Sequence, residues 1–124
     1  MSKILVVDDA AFMRMRCTKM LSDSGFEVAE AADGNQALAK YREFKPDGVL
    51  LDITMPELDG LATLKELIKM DPGARVAMVT AMGQQSMVME ALKSGARDFI
   101  VKPFEAERVL AAVRKIMELS LIHI

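Results

Sequence analysis

Lys3-Ile4-Leu5-Val6-Val7-Asp8-Asp9 delivers a short apolar run straight onto two carboxylates. A run of this length bounded by polar residues reads as a buried β-strand. The arrangement recurs: Gly48-Val49-Leu50-Leu51 runs into Asp52, Arg75-Val76-Ala77-Met78-Val79 into Thr80, and Phe99-Ile100-Val101 into Lys102. A fifth run, Glu27-Val28-Ala29-Glu30-Ala31, carries two acidic residues and ends in none of this chemistry. Its polarity suits the edge of a sheet better than the centre.

Between the runs, apolar residues return at helical spacing. Met13, Cys17, Met20 and Leu21 share one face of a first helix, which Ser24-Gly25 ends. Asp33-Gly34 opens a second that buries Ala37, Leu38, Tyr41 and Phe44, and Lys45-Pro46-Asp47 breaks it. A third helix over residues 60–70 turns Leu61, Leu64, Leu67 and Ile68 inward and closes at Asp71-Pro72-Gly73. A fourth, over 84–94, packs Val88, Ala91 and Leu92 and stops at Gly95; a fifth, over about 106–119, packs Val109, Leu110, Val113, Ile116 and Met117.

Strands alternating with helices through short links predict an α/β fold. A parallel sheet needs a right-handed helical crossover after each strand, so helices cover both faces. The strand order 2-1-3-4-5 of a flavodoxin-like (βα)5 sandwich leaves the polar second strand outside and sets the first and third side by side. At 124 residues the chain reads as one domain, assigned to residues 1–118.

Composition narrows the function. A 52% hydrophobic and 27% charged chain is globular, and a net charge of −2 with dispersed Lys and Arg is no footprint for nucleic acid. Cys17 reads as a small core residue. Without a signal-peptide core or a membrane-spanning run, the expected location is cytoplasmic, with no membrane partner. Residues 119–124, Leu-Ser-Leu-Ile-His-Ile, are unusually apolar for the end of a domain. They read first as appended or read-through sequence and second as a self-association segment.

Ligand sites in open α/β sheets lie outside the carboxyl ends of the strands, so the four decorated ends converge. Neighbouring first and third strands gather Asp8, Asp9 and Asp52 at the switch point of the sheet. Three carboxylates there repel unless some are protonated or a cation holds them; an all-oxygen set with room for water and phosphate suits Mg²⁺. Beside such an ion an Asp can attack phosphorus to give an acyl phosphate. Lys102 can neutralise charge on the transferring group, and Thr80 can donate its hydroxyl. Taken singly the pieces have plainer readings: Asp9 as a helix cap, Thr80 as a β-branched strand residue, Lys102-Pro103 as a turn.

Together they resemble the response-regulator receiver domains, and within them the CheY-like chemotaxis type. The resemblance covers residues 3 to about 118. It rests on Val6-Val7-Asp8-Asp9, Leu51-Asp52-Ile53-Thr54-Met55-Pro56-Glu57-Leu58-Asp59-Gly60, Thr80-Ala81 and Asp98-Phe99-Ile100-Val101-Lys102-Pro103-Phe104. It implies that Asp52 is the phosphoacceptor, that Asp9, Asp52 and the carbonyl of Thr54 hold Mg²⁺ with Asp8 assisting through water, and that Lys102 and Thr80 contact the phosphoryl group. It also implies a cis Lys102-Pro103 bond. Thr80 and Phe99 would form the switch that remodels the face of helix four, strand five and helix five. Thr54 and Met82 fall where receivers tune hydrolysis, and Met82 can position no water.

The implied partners are a CheA-like histidine kinase, a downstream target such as a flagellar motor switch protein, and a phosphatase. Ala81-Met82-Gly83-Gln84-Gln85 and Ala11-Phe12-Met13-Arg14 look most like the stand-alone chemotaxis receivers. Some of the eleven Met residues, such as Met87 and Met89, are candidate partner contacts, while core filling is the reading for most of them. Competing readings are a receiver that belongs to a larger regulator with a DNA-binding output domain, and a scaffold that is never phosphorylated. A haloacid-dehalogenase-type phosphatase fits poorly because Thr54 stands where its second acid belongs, and no phosphate-binding NTPase loop is present.

Overall fold

Five parallel strands pair in the order β2-β1-β3-β4-β5 in the computed structural model, which describes residues 2–53, 59–81 and 84–118. The elements run β1 (Lys3–Val7), α1 (Ala11–Asp23), β2 (Glu27–Ala31), α2 (Gly34–Phe44), β3 (Gly48–Asp52), α3 (Gly60–Met70), β4 (Val76–Ala81), α4 (Gln85–Lys93), β5 (Asp98–Lys102) and α5 (Ala106–Glu118). This is the expected order, with the acidic β2 at one edge and the wholly buried β3 in the middle.

Alternation along the strands sorts the core into two layers, because successive side chains point to opposite faces. Leu5, Val7, Val49, Leu51, Val76 and Met78 pack with Ala37, Tyr41, Leu64, Leu67 and Ala91 of α2, α3 and α4. Ile4, Val6, Leu50, Ala77, Val79 and Ile100 pack with Cys17 and Leu21 of α1 and with Val109, Ala112, Val113 and Ile116 of α5. Leu64 and Leu67 are fully enclosed. Each such burial stabilises by about 1.5–3 kcal/mol.

The helix ends are chemically specified. Asp33 and Asp59 cap α2 and α3, each side chain accepting the backbone N–H three residues on, from Gln36 and Ala62 at 2.8 Å. Gly25 and Gly95 take the positive φ values of 94° and 117° that end α1 and α4.

Three expectations change. β4 starts later and ends later than residues 75–79: Thr80 and Ala81 remain in the ladder because they pair with Val101 and Lys102. Thr80 is thus the penultimate residue of its strand rather than the first residue after it. Leu92, expected to pack, is 37% exposed. The short α4 presses mainly Ala91 into the core and leaves one flank open. Asp9 does not cap α1, whose N-cap is Ala10 and carries no side-chain cap.

The thiol of Cys17 lies between α1 and the sheet. Burial, reinforced by the negative charge of Asp8, pushes it from an ordinary 9.0 up to about 11. Since the thiolate is the nucleophile, this lowers the reactive fraction at pH 8 about a hundredfold. Cys17 should therefore resist iodoacetamide in the native protein and react at the rate of a free thiol in denaturant. Equal rates in the two states would show that the site is open.

Candidate functional site

Register does most of the assembly. Val7 pairs with Leu51, Asp52 with Val79, Thr80 with Val101 and Ala81 with Lys102, so the carboxyl ends of four strands form one rim. On this rim one carboxylate oxygen from each of Asp8, Asp9 and Asp52 lies within 4.8 Å of the others. Asp8 and Asp52 are each 5% exposed, whereas Asp9 is open to solvent. Lys102 reaches over from β5 to place Nζ 3.7 Å from Asp8 Oδ2 and 3.6 Å from Asp52 Oδ1. The peptide bond after it, Lys102-Pro103, is cis, as the resemblance implied.

Three carboxylates face a single ammonium among the described residues, all oxygen donors with one side open. That deficit of positive charge, on a rim of hard ligands, fits a divalent cation of the Mg²⁺ kind.

Several supporting residues were not visible as such in the sequence. Arg14 of α1 donates from Nη1 to the carbonyl of Asp8 at 2.7 Å and from Nε to Glu30 of β2 at 2.9 Å. The carbonyl at the base of the acidic pair is therefore tied to both a helix and the edge strand. Asp8 Oδ1 accepts the N–H of Ala10 at 2.9 Å, which orients its other oxygen toward Lys102. The N–H of Ile53 donates to the carbonyl of Val79 at 2.9 Å, extending the β3–β4 ladder just past Asp52.

Thr80 is buried and its hydroxyl donates to Gln84 Oε1 at 2.7 Å. Phe99 lies beside it: the two line one groove of about 290 Å³ with Gln84, Met89, Leu92 and Val101. The residues proposed to couple the site to the α4–β5–α5 face are thus adjacent. On the opposite side of β5, buried Asp98 faces Arg108 Nη1 at 3.6 Å and Lys115 Nζ at 3.7 Å, and Arg108 also donates to the carbonyl of Phe99 at 2.6 Å. Asp98 stands in the last of the motifs, but its ion partners on α5 leave no mark near it in the sequence. Thr54, Met82 and the 119–124 segment with His123 lie outside the described residues.

The response regulator receiver domain profile matches residues 4–114. The chain belongs to that family. It is 59% identical over 114 residues to the chemotaxis protein CheY of Bacillus subtilis, covering 91% of this chain and 95% of that one. Among solved structures, the receiver superposes on NtrX of Brucella abortus with a TM-score of 0.94 at 38% identity, covering 99% of this chain but 28% of that longer protein. It also superposes on a CheX-CheY-BeF3-Mg²⁺ complex from Borrelia burgdorferi with a TM-score of 0.88 at 38% identity, covering 93% of this chain and 88% of that one. No described helix of the receiver is long and apolar enough to cross a membrane.

Proposed function

We propose that this receiver is the phosphoacceptor of a chemotaxis two-component system, taking a phosphoryl group from a histidine kinase of the CheA kind onto Asp52. The observation that carries this reading is the ammonium of Lys102 set between Asp8 and Asp52 beside an open carboxylate cluster. In this reading an Asp52 carboxylate oxygen bonds to phosphorus as the bond from phosphorus to the kinase imidazole nitrogen breaks. The imidazole leaves with that electron pair. Lys102 then moves its attraction from the carboxylates to the phosphoryl oxygens, where negative charge gathers. Water later attacks phosphorus, releasing inorganic phosphate and restoring the carboxylate.

Asp8, Asp9 and Asp52, with the carbonyl of Thr54, would hold Mg²⁺. When bound, the ion supplies positive charge to the acidic cluster and to the oxygens in transfer. Incubating the protein with Mg²⁺ and acetyl phosphate should give labelled protein, and chelation by EDTA should prevent it. Absence of label under both conditions would favour the scaffold reading.

Phosphorylation adds about −1.5 to −2 charge, enough to draw Thr80 inward and let Phe99 turn into the vacated space. A target such as a flagellar motor switch protein would read the altered α4–β5–α5 face, and a phosphatase would end the signal. Coverage of 95% of the chemotaxis protein CheY of Bacillus subtilis supports the reading of a chemotaxis regulator of the stand-alone kind. A 40% identity to the DNA-binding response regulator MtrA of Mycolicibacterium paratuberculosis, of which the match covers 49%, keeps a second reading, a receiver controlling a DNA-binding output domain. Gel-shift assays with the phosphorylated full-length gene product separate the two.

Met82 bears on lifetime. Its thioether cannot hydrogen-bond the attacking water strongly, so Met82→Glu should shorten the life of the phosphorylated protein several-fold, followed as loss of label after removal of the donor. An unchanged decay rate would remove Met82 from the tuning positions.

A further inference from the structure

Gln84, just before α4, closes a small hydrogen-bond circuit with the end of β4. Its Oε1 accepts the Thr80 hydroxyl at 2.7 Å and the backbone N–H of Ala81 at 2.8 Å, while Nε2 lies 3.7 Å from Met87 Sδ. A carbonyl oxygen has two lone pairs, and both are engaged. The N–H of Ala81 also fixes the amide orientation, because a flipped side chain would set its NH₂ group against another donor.

A threonine hydroxyl has one proton. The carbonyl of Ala81, at 3.2 Å, is a longer second acceptor for it, so the short bond to Gln84 is where the proton resides. Thr80 therefore cannot donate to a phosphoryl oxygen on Asp52 until Gln84 releases it. We propose that Gln84 is a positioning residue that latches the Thr80 hydroxyl outward and thereby sets how readily the receiver enters its activated state. The inference rests on the reading of Asp52 as phosphoacceptor and adds a determinant to it.

The latch is an exchange of hydrogen bonds without covalent change: the Thr80 proton leaves Gln84 Oε1 and is donated to the phosphoryl oxygen. Part of the favourable interaction with that oxygen is spent on opening the circuit. The apparent affinity for an activating group falls by the fraction of receivers already unlatched. One net hydrogen bond corresponds to about a three- to tenfold change. The Gln84 side chain makes no capping bond at the start of α4, so Gln84→Ala opens the circuit and drops the Met87 contact without removing a helix cap.

The test titrates the full chain with beryllofluoride and Mg²⁺. Gln84→Ala should lower the apparent Kd about three- to tenfold, whereas Gln84→Glu, which retains two acceptors, should bind no more tightly than the parent. In a Thr80→Ala background Gln84→Ala should have no further effect. A gain that persists without the Thr80 hydroxyl, or no gain at all, overturns the latch.

Three-bond couplings to the Thr80 methyl in the unactivated protein give a readout independent of binding. The parent and Gln84→Glu should show one χ1 rotamer and Gln84→Ala an average of rotamers. Identical couplings in parent and Gln84→Ala also overturn the proposal. If the parent binds no beryllofluoride, the phosphoacceptor reading fails while the couplings still decide the latch.

Discussion

Asp52→Asn should abolish labelling by acetyl phosphate while leaving the melting temperature close to that of the parent. The substitution is nearly isosteric, so the close packing around a residue 5% exposed is retained. What it removes is the anionic oxygen that attacks phosphorus and one of the three carboxylates of the acidic cluster. A neutral amide is a poor nucleophile, and Lys102 keeps only Asp8 as a partner of the two it now has. The measurement is incorporation of phosphoryl groups in Mg²⁺ buffer, read by intact mass. Full labelling of the D52N protein would place the acceptor elsewhere and overturn the assignment on which the functional reading stands.

Gly60→Ala should lower stability by about 3 kcal/mol and the melting temperature by about 10 °C. Gly60 begins α3, and its N–H donates to the carbonyl of Ile53 at 2.8 Å. A Cβ built there would overlap the carbonyl oxygen of Asp52 and lie 2.5 Å from Ile53 Cα and 2.7 Å from Ile53 O. All three are backbone atoms and cannot rotate away as a side chain could. Either α3 moves off the sheet or the end of β3 moves with Asp52 on it. Thermal unfolding followed by circular dichroism gives the first quantity and acetyl phosphate labelling the second. A G60A protein that melts with the parent would show that the turn yields freely.

The alternation of apolar runs with helical spacing made the sheet legible, because period and composition are local properties of the chain. β2 declared its edge position through Glu27 and Glu30, and the rim residues Asp8, Asp52 and Lys102 stand at or just past the strand ends where the runs predicted. Partnerships across elements left no such signature. Nothing near Gln84 in sequence announces that it accepts from Thr80, and nothing near Asp98 announces Arg108 and Lys115 on α5. Arg14 reads as an ordinary solvated charge until β2 brings Glu30 beside it. Thr80 falls just past the apolar run that stops at Val79, yet pairing with β5 carries the ladder through it. Leu92 fits the helical pattern and still faces outward, since apolar spacing marks a face without saying whether anything covers it.

Lys102 belongs to β5, the last strand to be made, and it reaches past β4 to Asp8 just after β1 and Asp52 at the end of β3. During synthesis on the ribosome, Asp8, Asp9 and Asp52 emerge well before the ammonium that faces them. Chains grow at about 5–20 residues per second and domains fold as units, so a nascent receiver spends seconds without the ammonium that faces these acids. On the proposed reading, competence to accept a phosphoryl group waits until translation of the domain is nearly complete, and truncated products that lack the final strand would be silent.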